Sequence, residues 1–156
     1  MKINKAIIAV AGYGTRFLPA TKVMPKELLP IVDKPVAQYL AEEAVESGIK
    51  DIIFVTREGT KAIVDHFDSS HELETQLAEQ QKPELLRMIQ AIPRMANFEF
   101  VHQGSHLPYG NGSPILAAKD FIDKNEPFVY MFGDDLVLSQ IPATKQLIDV
   151  YQQHQP

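Results

Sequence analysis

The residues best suited to chemistry lie between Ala11 and Pro35, where Gly12 and Gly14 are followed by Arg16, Lys22, Lys26 and Lys34 among four prolines. A glycine-rich turn lets backbone N–H groups approach a phosphate closely, and cations beyond it neutralise charge further along a polyphosphate. Met1 to Lys34 carries six Lys or Arg against two acids, whereas the remainder carries nine against eighteen. The positive field is therefore local. An overall charge of −5 and a sequence pI near 5.5 are unlike those of a general nucleic-acid binder, which shows a basic face across the domain. A small anionic ligand fits better than nucleic acid or a membrane.

The elements that must hold such a loop can be read from the apolar spacing. Lys5 to Val10 is a continuous apolar run stopped by Gly12 and Gly14, the pattern of a buried strand. From Pro35 to Ser47, Val36, Tyr39, Leu40 and Ala44 recur at helical spacing, with Glu42, Glu43 and Glu46 as a solvated face and Gly48 as the stop. Asp51 to Thr56 is a second strand, Lys61 to Phe67 a short helix, and Ser70 to Gln80 a helix with Ser70 as its cap. Glu84 to Ile92 continues helically, Phe98 to His102 alternates as a strand, and a loop follows from Gln103 to Gly112. Ser113 to Ile122 reads as a helix, Phe128 to Phe132 as the most apolar strand, and Pro142 to Gln152 as a last helix with proline in its first turn.

Alternation of this kind predicts an α/β fold, a three-layer α/β/α arrangement on a mostly parallel sheet, in one domain spanning 1–156. Ligands of open sheets sit beyond the carboxyl ends of the strands. The Gly12 loop, the Gln103 loop and Gly133-Asp134-Asp135 would converge there. With no cysteine in the chain, no run of eighteen apolar residues and no small-residue cleavage site near its start, the expected location is cytoplasmic.

Generic nucleotide motifs are excluded by counting. Gly12-Tyr13-Gly14-Thr15-Arg16-Phe17 lacks the third glycine of a dinucleotide fingerprint, and the second strand ends in Val55-Thr56-Arg57 with no acid for a ribose. No Gly-x-x-x-x-Gly-Lys-Ser/Thr is present either. Each remaining candidate has a plain structural alternative: a solvated lysine, turn glycines, or aspartates that cap the next segment. His66, His71, His102 and His106 match no usual ligand spacing, and Met88 and Met95 flank core-like positions.

The run Gly12-x-Gly14-Thr15-Arg16-x-x-Pro19-x-Thr21-Lys22-x-x-Pro25-Lys26-Glu27-x-Leu29-Pro30-x-x-x-Lys34-Pro35 resembles the signature of sugar-nucleotide pyrophosphorylases. Within them, Pro-Ala-Thr-Lys and Pro-Lys-Glu-Leu-Leu-Pro resemble the uridylyl branch, the bacterial UTP-glucose-1-phosphate uridylyltransferases. The resemblance continues through Ile52 to Thr56, His66-Phe67-Asp68, His71 to Glu74, Gln103-Gly104 and Gly133-Asp134-Asp135. It implies the Rossmann-like nucleotide-diphospho-sugar transferase fold. It also implies that a glucose 1-phosphate oxygen attacks the α-phosphorus of UTP in line and displaces pyrophosphate.

By the same resemblance, Arg16 would hold the β and γ phosphates and Lys26 would stabilise charge at the α-phosphate. Gly12 and Gly14 would shape the turn beside Thr15, and Ala11, Glu27 and Gly110 would lie beside the nucleoside. Magnesium would bridge phosphates, since Mg2+ binds through a few carboxylates plus substrate oxygens. Asp134 is the expected ligand, after a buried strand and beside Gly133, with Asp135 as the second choice. Gln103 could read the uracil edge with its paired donor and acceptor.

Two features depart from the family pattern. The Gln103 to Pro114 loop is about two residues longer and has Ser113-Pro114 in place of a His-Ala pair. The family's second half, which supplies the sugar pocket, is absent. The expectation is the N-terminal, nucleotide-binding part of a longer protein that catalyses this transfer, with a module without turnover or another base or sugar specificity as the alternatives. Unpaired strand edges and uncovered faces of a partial sheet predict self-association into a homo-oligomer, or marginal stability.

Overall fold

The computed structural model describes residues 2–108 and 110–154, so Tyr109 of the long loop and the extreme termini of the expected domain lie outside the described residues. Its sheet has the order β5-β4-β1-β6 and is parallel throughout, formed by Lys5–Val10 (β1), Asp51–Arg57 (β4), Asn97–Gln103 (β5) and Val129–Phe132 (β6). A small antiparallel hairpin, Pro30–Ile31 (β2) with Lys34–Pro35 (β3), lies apart from it. β1 and β4 occupy the middle and are buried on both faces, as their unbroken apolar runs require.

Alternation along β1 separates two cores. Ala6, Ile8 and Val10 meet Ala37, Leu40, Ala41 and Ala44 of Val36–Glu46 (α1), together with Phe67 of Ala62–Phe67 (α2) and Ile148 of Ala143–His154 (α6). On the other face Ile7, Ile53 and Val55 meet Ala118, which follows the single turn Ser113–Ala117 (α5). The three layers are therefore unequal, with one thick helical face and one thin one. His71–Glu79 (α3) and Pro83–Ala91 (α4) pack against each other on the periphery, joined by a hydrogen bond from Gln90 to Glu74.

Several local expectations are corrected. Ser113 to Ile122 is not one helix: α5 stops at Ala117 and a separate 3-10 turn covers Lys119–Phe121. Ser70 precedes α3 but forms no side-chain cap bond, and Pro142 stands just before α6 instead of inside its first turn. Met88 is exposed on α4, whereas Met95 packs against the core. Of the acidic α1 face only Glu46 is exposed. Glu43 accepts hydrogen bonds from the backbone N–H and Oγ1 of Thr144, tying α1 to the start of α6, and Glu42 pairs with Lys34.

The loop from Ala11 to Pro35 is more ordered than its prolines suggest. Three 3-10 turns, Thr15–Phe17, Ala20–Lys22 and Lys26–Leu28, carry it, and Leu28 packs against the main core. The β2–β3 turn places Val32 at φ 64°, with the side chain 94% exposed. A β-branched residue gains nothing there to offset left-handed strain of about 1–2 kcal/mol. Val32→Asn is expected to raise the thermal midpoint by roughly 2–4 °C. A calorimetric scan checks it, and an unchanged midpoint would mean that the turn is unstrained.

Candidate active site

The carboxyl ends of the strands open into one cavity of about 850 Å³. Three segments reach it: Ala11 and Gly12 after β1, Gln103 and Gly110 around the end of β5, and Asp134 just past β6, with Lys26 and Glu27 entering from the proline-rich loop. The convergence expected of a parallel sheet is therefore present. Gly14, Thr15 and Arg16 are not part of the lining. Gly14 sits at φ 61° and caps the first 3-10 turn, where Thr21 Oγ1 donates to its carbonyl at 2.7 Å, while Arg16 is exposed on that turn.

The centre of the site is an ion pair. Lys26 Nζ lies 2.6 Å from Asp134 Oδ2, bringing together residues 108 positions apart in sequence. Asp135 is exposed and outside the lining; its backbone N–H closes a turn onto Phe132. The 3-10 turn at Lys26–Leu28 sends successive side chains in different directions, so Lys26 reaches the cavity surface while Glu27 is driven underneath.

Glu27 is 1% exposed, and neither carboxylate oxygen has a hydrogen-bond partner among the described residues. Burial pushes its pKa from 4.5 up to about 7, against the opposing influence of Lys26, whose Nζ is 4.0 Å from Oε1. A carboxyl that holds its proton more tightly when folded stabilises the fold at low pH. That contribution is complete below about 4.5 and is lost as pH rises through about 7. Glu27→Gln is expected to remove this slope, leaving the variant more stable than the parent at pH 8 by up to about 3 kcal/mol. Urea unfolding across pH 4 to 8 checks it, and parallel profiles for the two proteins would refute it.

Gly133 has no room for a side chain. A Cβ there would meet the Ala9 carbonyl oxygen at 2.6 Å, Val10 Cγ1 at 2.7 Å and Glu27 Cγ at 2.9 Å. The close approach at this glycine is thus to β1 and to Glu27, within the protein itself. Its N–H also donates to Ala9 at 3.0 Å, continuing the β1–β6 ladder one residue past the strand and fixing where Asp134 begins.

The histidines do not assemble. His66 Nε2 lies 3.0 Å from Gln38 Oε1, and burial lowers its pKa. His102 Nδ1 lies 2.9 Å from Thr56 Oγ1, and His106 lies against Gly104. Among the described residues no cluster of three His, Asp or Glu could hold a metal unaided. Asp134 is one carboxylate lining the cavity, a donor set that suits a hard cation shared with substrate oxygens.

Sequence reasoning missed Tyr13 and Arg57, which also line the cavity. In the sequence Arg57 stands out only as the absence of an acid at the end of β4. Its guanidinium stacks over the Tyr13 ring, 4.6 Å from the centroid. No spacing rule links positions 13 and 57, because the parallel pairing of β1 with β4 is what makes them neighbours.

Among the described residues, no helix is long and apolar enough to cross a membrane. The nucleotidyl transferase family profile matches residues 5–156. UTP–glucose-1-phosphate uridylyltransferase YngB of Bacillus subtilis is 51% identical over 150 residues, covering 96% of this chain and 50% of that protein. The UTP–glucose-1-phosphate uridylyltransferase of Staphylococcus epidermidis is 53% identical over 152 residues, 97% of this chain and 52% of that protein. This chain therefore spans about half the length of the curated relatives it matches. Among solved structures, a UTP-bound UGPase from Acinetobacter baumannii superposes with a TM-score of 0.91 at 38% identity, covering 99% of this chain and 54% of that one. A UDP-glucose pyrophosphorylase complexed with UDP-glucose superposes at 0.82 and 39% identity, covering 99% of this chain and 55% of that one. With its parallel sheet, its glycine loop and its cavity at the strand ends, the chain belongs to the nucleotidyl transferase family.

Proposed function

We propose that residues 1–156 form the nucleotide-binding part of an enzyme that makes UDP-glucose and pyrophosphate from UTP and glucose 1-phosphate. The observation that carries this reading is the Lys26–Asp134 pair, which sets a cation and a carboxylate side by side in a cavity also lined by Gly12 and Gln103. Relatives described as binding UTP and UDP-glucose support it.

In the proposed reaction an oxygen of the sugar phosphate forms a bond to the α-phosphorus as the bond to the β-phosphate oxygen breaks and pyrophosphate leaves. Both reactants are polyanions, so the protein's task is to position them and neutralise their charge. Lys26 donates to α-phosphate oxygens as their charge grows. Ala11 and Gly12 give the phosphates a backbone approach, and Gln103 meets the base. Arg16, on the flanking turn, takes the leaving phosphates. Magnesium, when bound at Asp134, supplies further neutralisation of the phosphate oxygens.

Titrating UTP with magnesium into the chain by calorimetry, with dTTP, CTP and GTP as controls, tests the reading, followed by an assay of pyrophosphate release with glucose 1-phosphate. Absence of UTP binding would refute it. Binding without release would favour a nucleotide-binding module without turnover, which the coverage of only half of each relative's length keeps in view. Preference for dTTP or GTP would assign another branch.

We also propose a homo-oligomer. β6 is an outer strand of the described sheet, and Leu138, Ile141, Leu147 and Val150 beyond it are exposed. An uncovered strand edge beside apolar side chains favours pairing between copies. Sedimentation velocity at two concentrations should show self-association, and a compact monomer at both would contradict it.

A further inference from the structure

Lys26 and Arg57 are the two Lys or Arg side chains that line the cavity. Lys26 is neutralised by Asp134. Among the described residues the guanidinium of Arg57 forms no ion pair, and its one recorded partner is the face of Tyr13. A guanidinium seated over an aromatic face keeps its N–H groups available to other partners. Tyr13 itself is 67% exposed. The pair therefore forms part of the cavity mouth without being part of the core.

The sheet register says what this edge faces. Arg57 is the Cα partner of Gln103 across the parallel β4–β5 ladder, so the two residues project side by side, and both line the cavity. Gln103 alone cannot tell uracil from cytosine. Its amide carries one donor and one acceptor and, rotated by half a turn, matches the N3–H and O4 of uracil or the N3 and N4 amino group of cytosine. An arginine fork only donates. Placed beside the amide, it favours a keto oxygen where cytosine presents an amino group.

We propose that Arg57, seated over Tyr13 next to Gln103, is a specificity-determining residue that selects a keto pyrimidine nucleotide against its amino counterpart. This rests on reading the cavity as a nucleotide site. Tyr13 is then a positioning residue acting through Arg57.

Calorimetric affinities for UTP, CTP and inorganic triphosphate, measured for the parent and for Arg57→Ala, Arg57→Lys, Tyr13→Ala and Tyr13→Phe, test the proposal. Arg57→Ala should collapse the UTP-to-CTP preference by about 5- to 150-fold, the discrimination expected when a charged donor faces an amino group in place of its acceptor, with triphosphate affinity unchanged. Arg57→Lys should lose the preference too, because an ammonium on a flexible stem is not seated over the Tyr13 ring and so is not held beside Gln103. Tyr13→Ala should weaken the preference and Tyr13→Phe, which keeps the ring, should restore it. An equal loss for all three ligands would make Arg57 a phosphate contact and overturn the proposal, as would an unchanged preference in Arg57→Ala. A parent that binds no nucleoside triphosphate would overturn the nucleotide reading, and this inference with it. A parent that binds UTP and CTP equally would overturn the inference alone.

Discussion

Gly133→Ala is expected to lower the thermal midpoint by roughly 6–12 °C, the equivalent of about 3 kcal/mol for a chain of this size. The added methyl would sit 2.6 Å from the Ala9 carbonyl oxygen, and that oxygen cannot move without breaking the ladder bond it accepts from Gly133 N–H. Val10 and Glu27 close the other sides at 2.7 Å and 2.9 Å. Relief has to come from lifting the chain after β6 off β1, which carries Asp134 away from Lys26. The same substitution should therefore weaken nucleotide binding beyond its effect on stability. Gly12→Ala is the control, since its methyl would meet Lys26 Cε at an ordinary 3.6 Å and should leave the midpoint of the ligand-free protein unchanged. A differential calorimetric scan of the two variants decides the matter. Equal midpoints for both would mean that the sheet end is far more compliant than its packing implies.

Lys26→Ala should reduce the proposed uridylyl transfer by about 10²–10³ in kcat, the usual consequence of removing one donor from developing charge. Release of pyrophosphate at saturating substrate reads this directly. A second readout is independent of turnover. The Lys26 cation opposes the upward shift of Glu27, so its removal should push that carboxyl further above about 7 and move the pH-dependent loss of stability to higher pH. Lower activity with an unmoved pH profile would place Lys26 too far from Glu27 to influence it. A moved profile with full activity would remove Lys26 from the chemistry.

Apolar patterning was sufficient to locate β1 and β4, as short unbroken apolar runs, and α1, by its helical spacing. The site's segments were equally legible, since glycines, cations and an aspartate directly after buried strands have few other reasons to cluster. Where tertiary contacts override local preference, the reading failed. The Glu43 contact with Thr144 exists because α6 docks on α1, and nothing local in the acidic face announces it. The break after α5 likewise depends on how Ala118 enters the thin core, and it leaves no mark in a spacing pattern that runs on to Ile122.

The sequence by itself determined the order of elements, the location of the glycine- and proline-rich loop and the identity of the charged residues in it, because those depend on neighbours along the chain. Only the tertiary structure decided that Lys26 meets Asp134, that Glu27 is buried without a partner, that Arg16 stands outside the lining, and that Arg57 stacks on Tyr13 beside Gln103. The last depends on the register of parallel strands, which sets distant residues side by side through backbone hydrogen bonds that carry no side-chain signature, and the others on how the proline-rich loop folds over the strand ends.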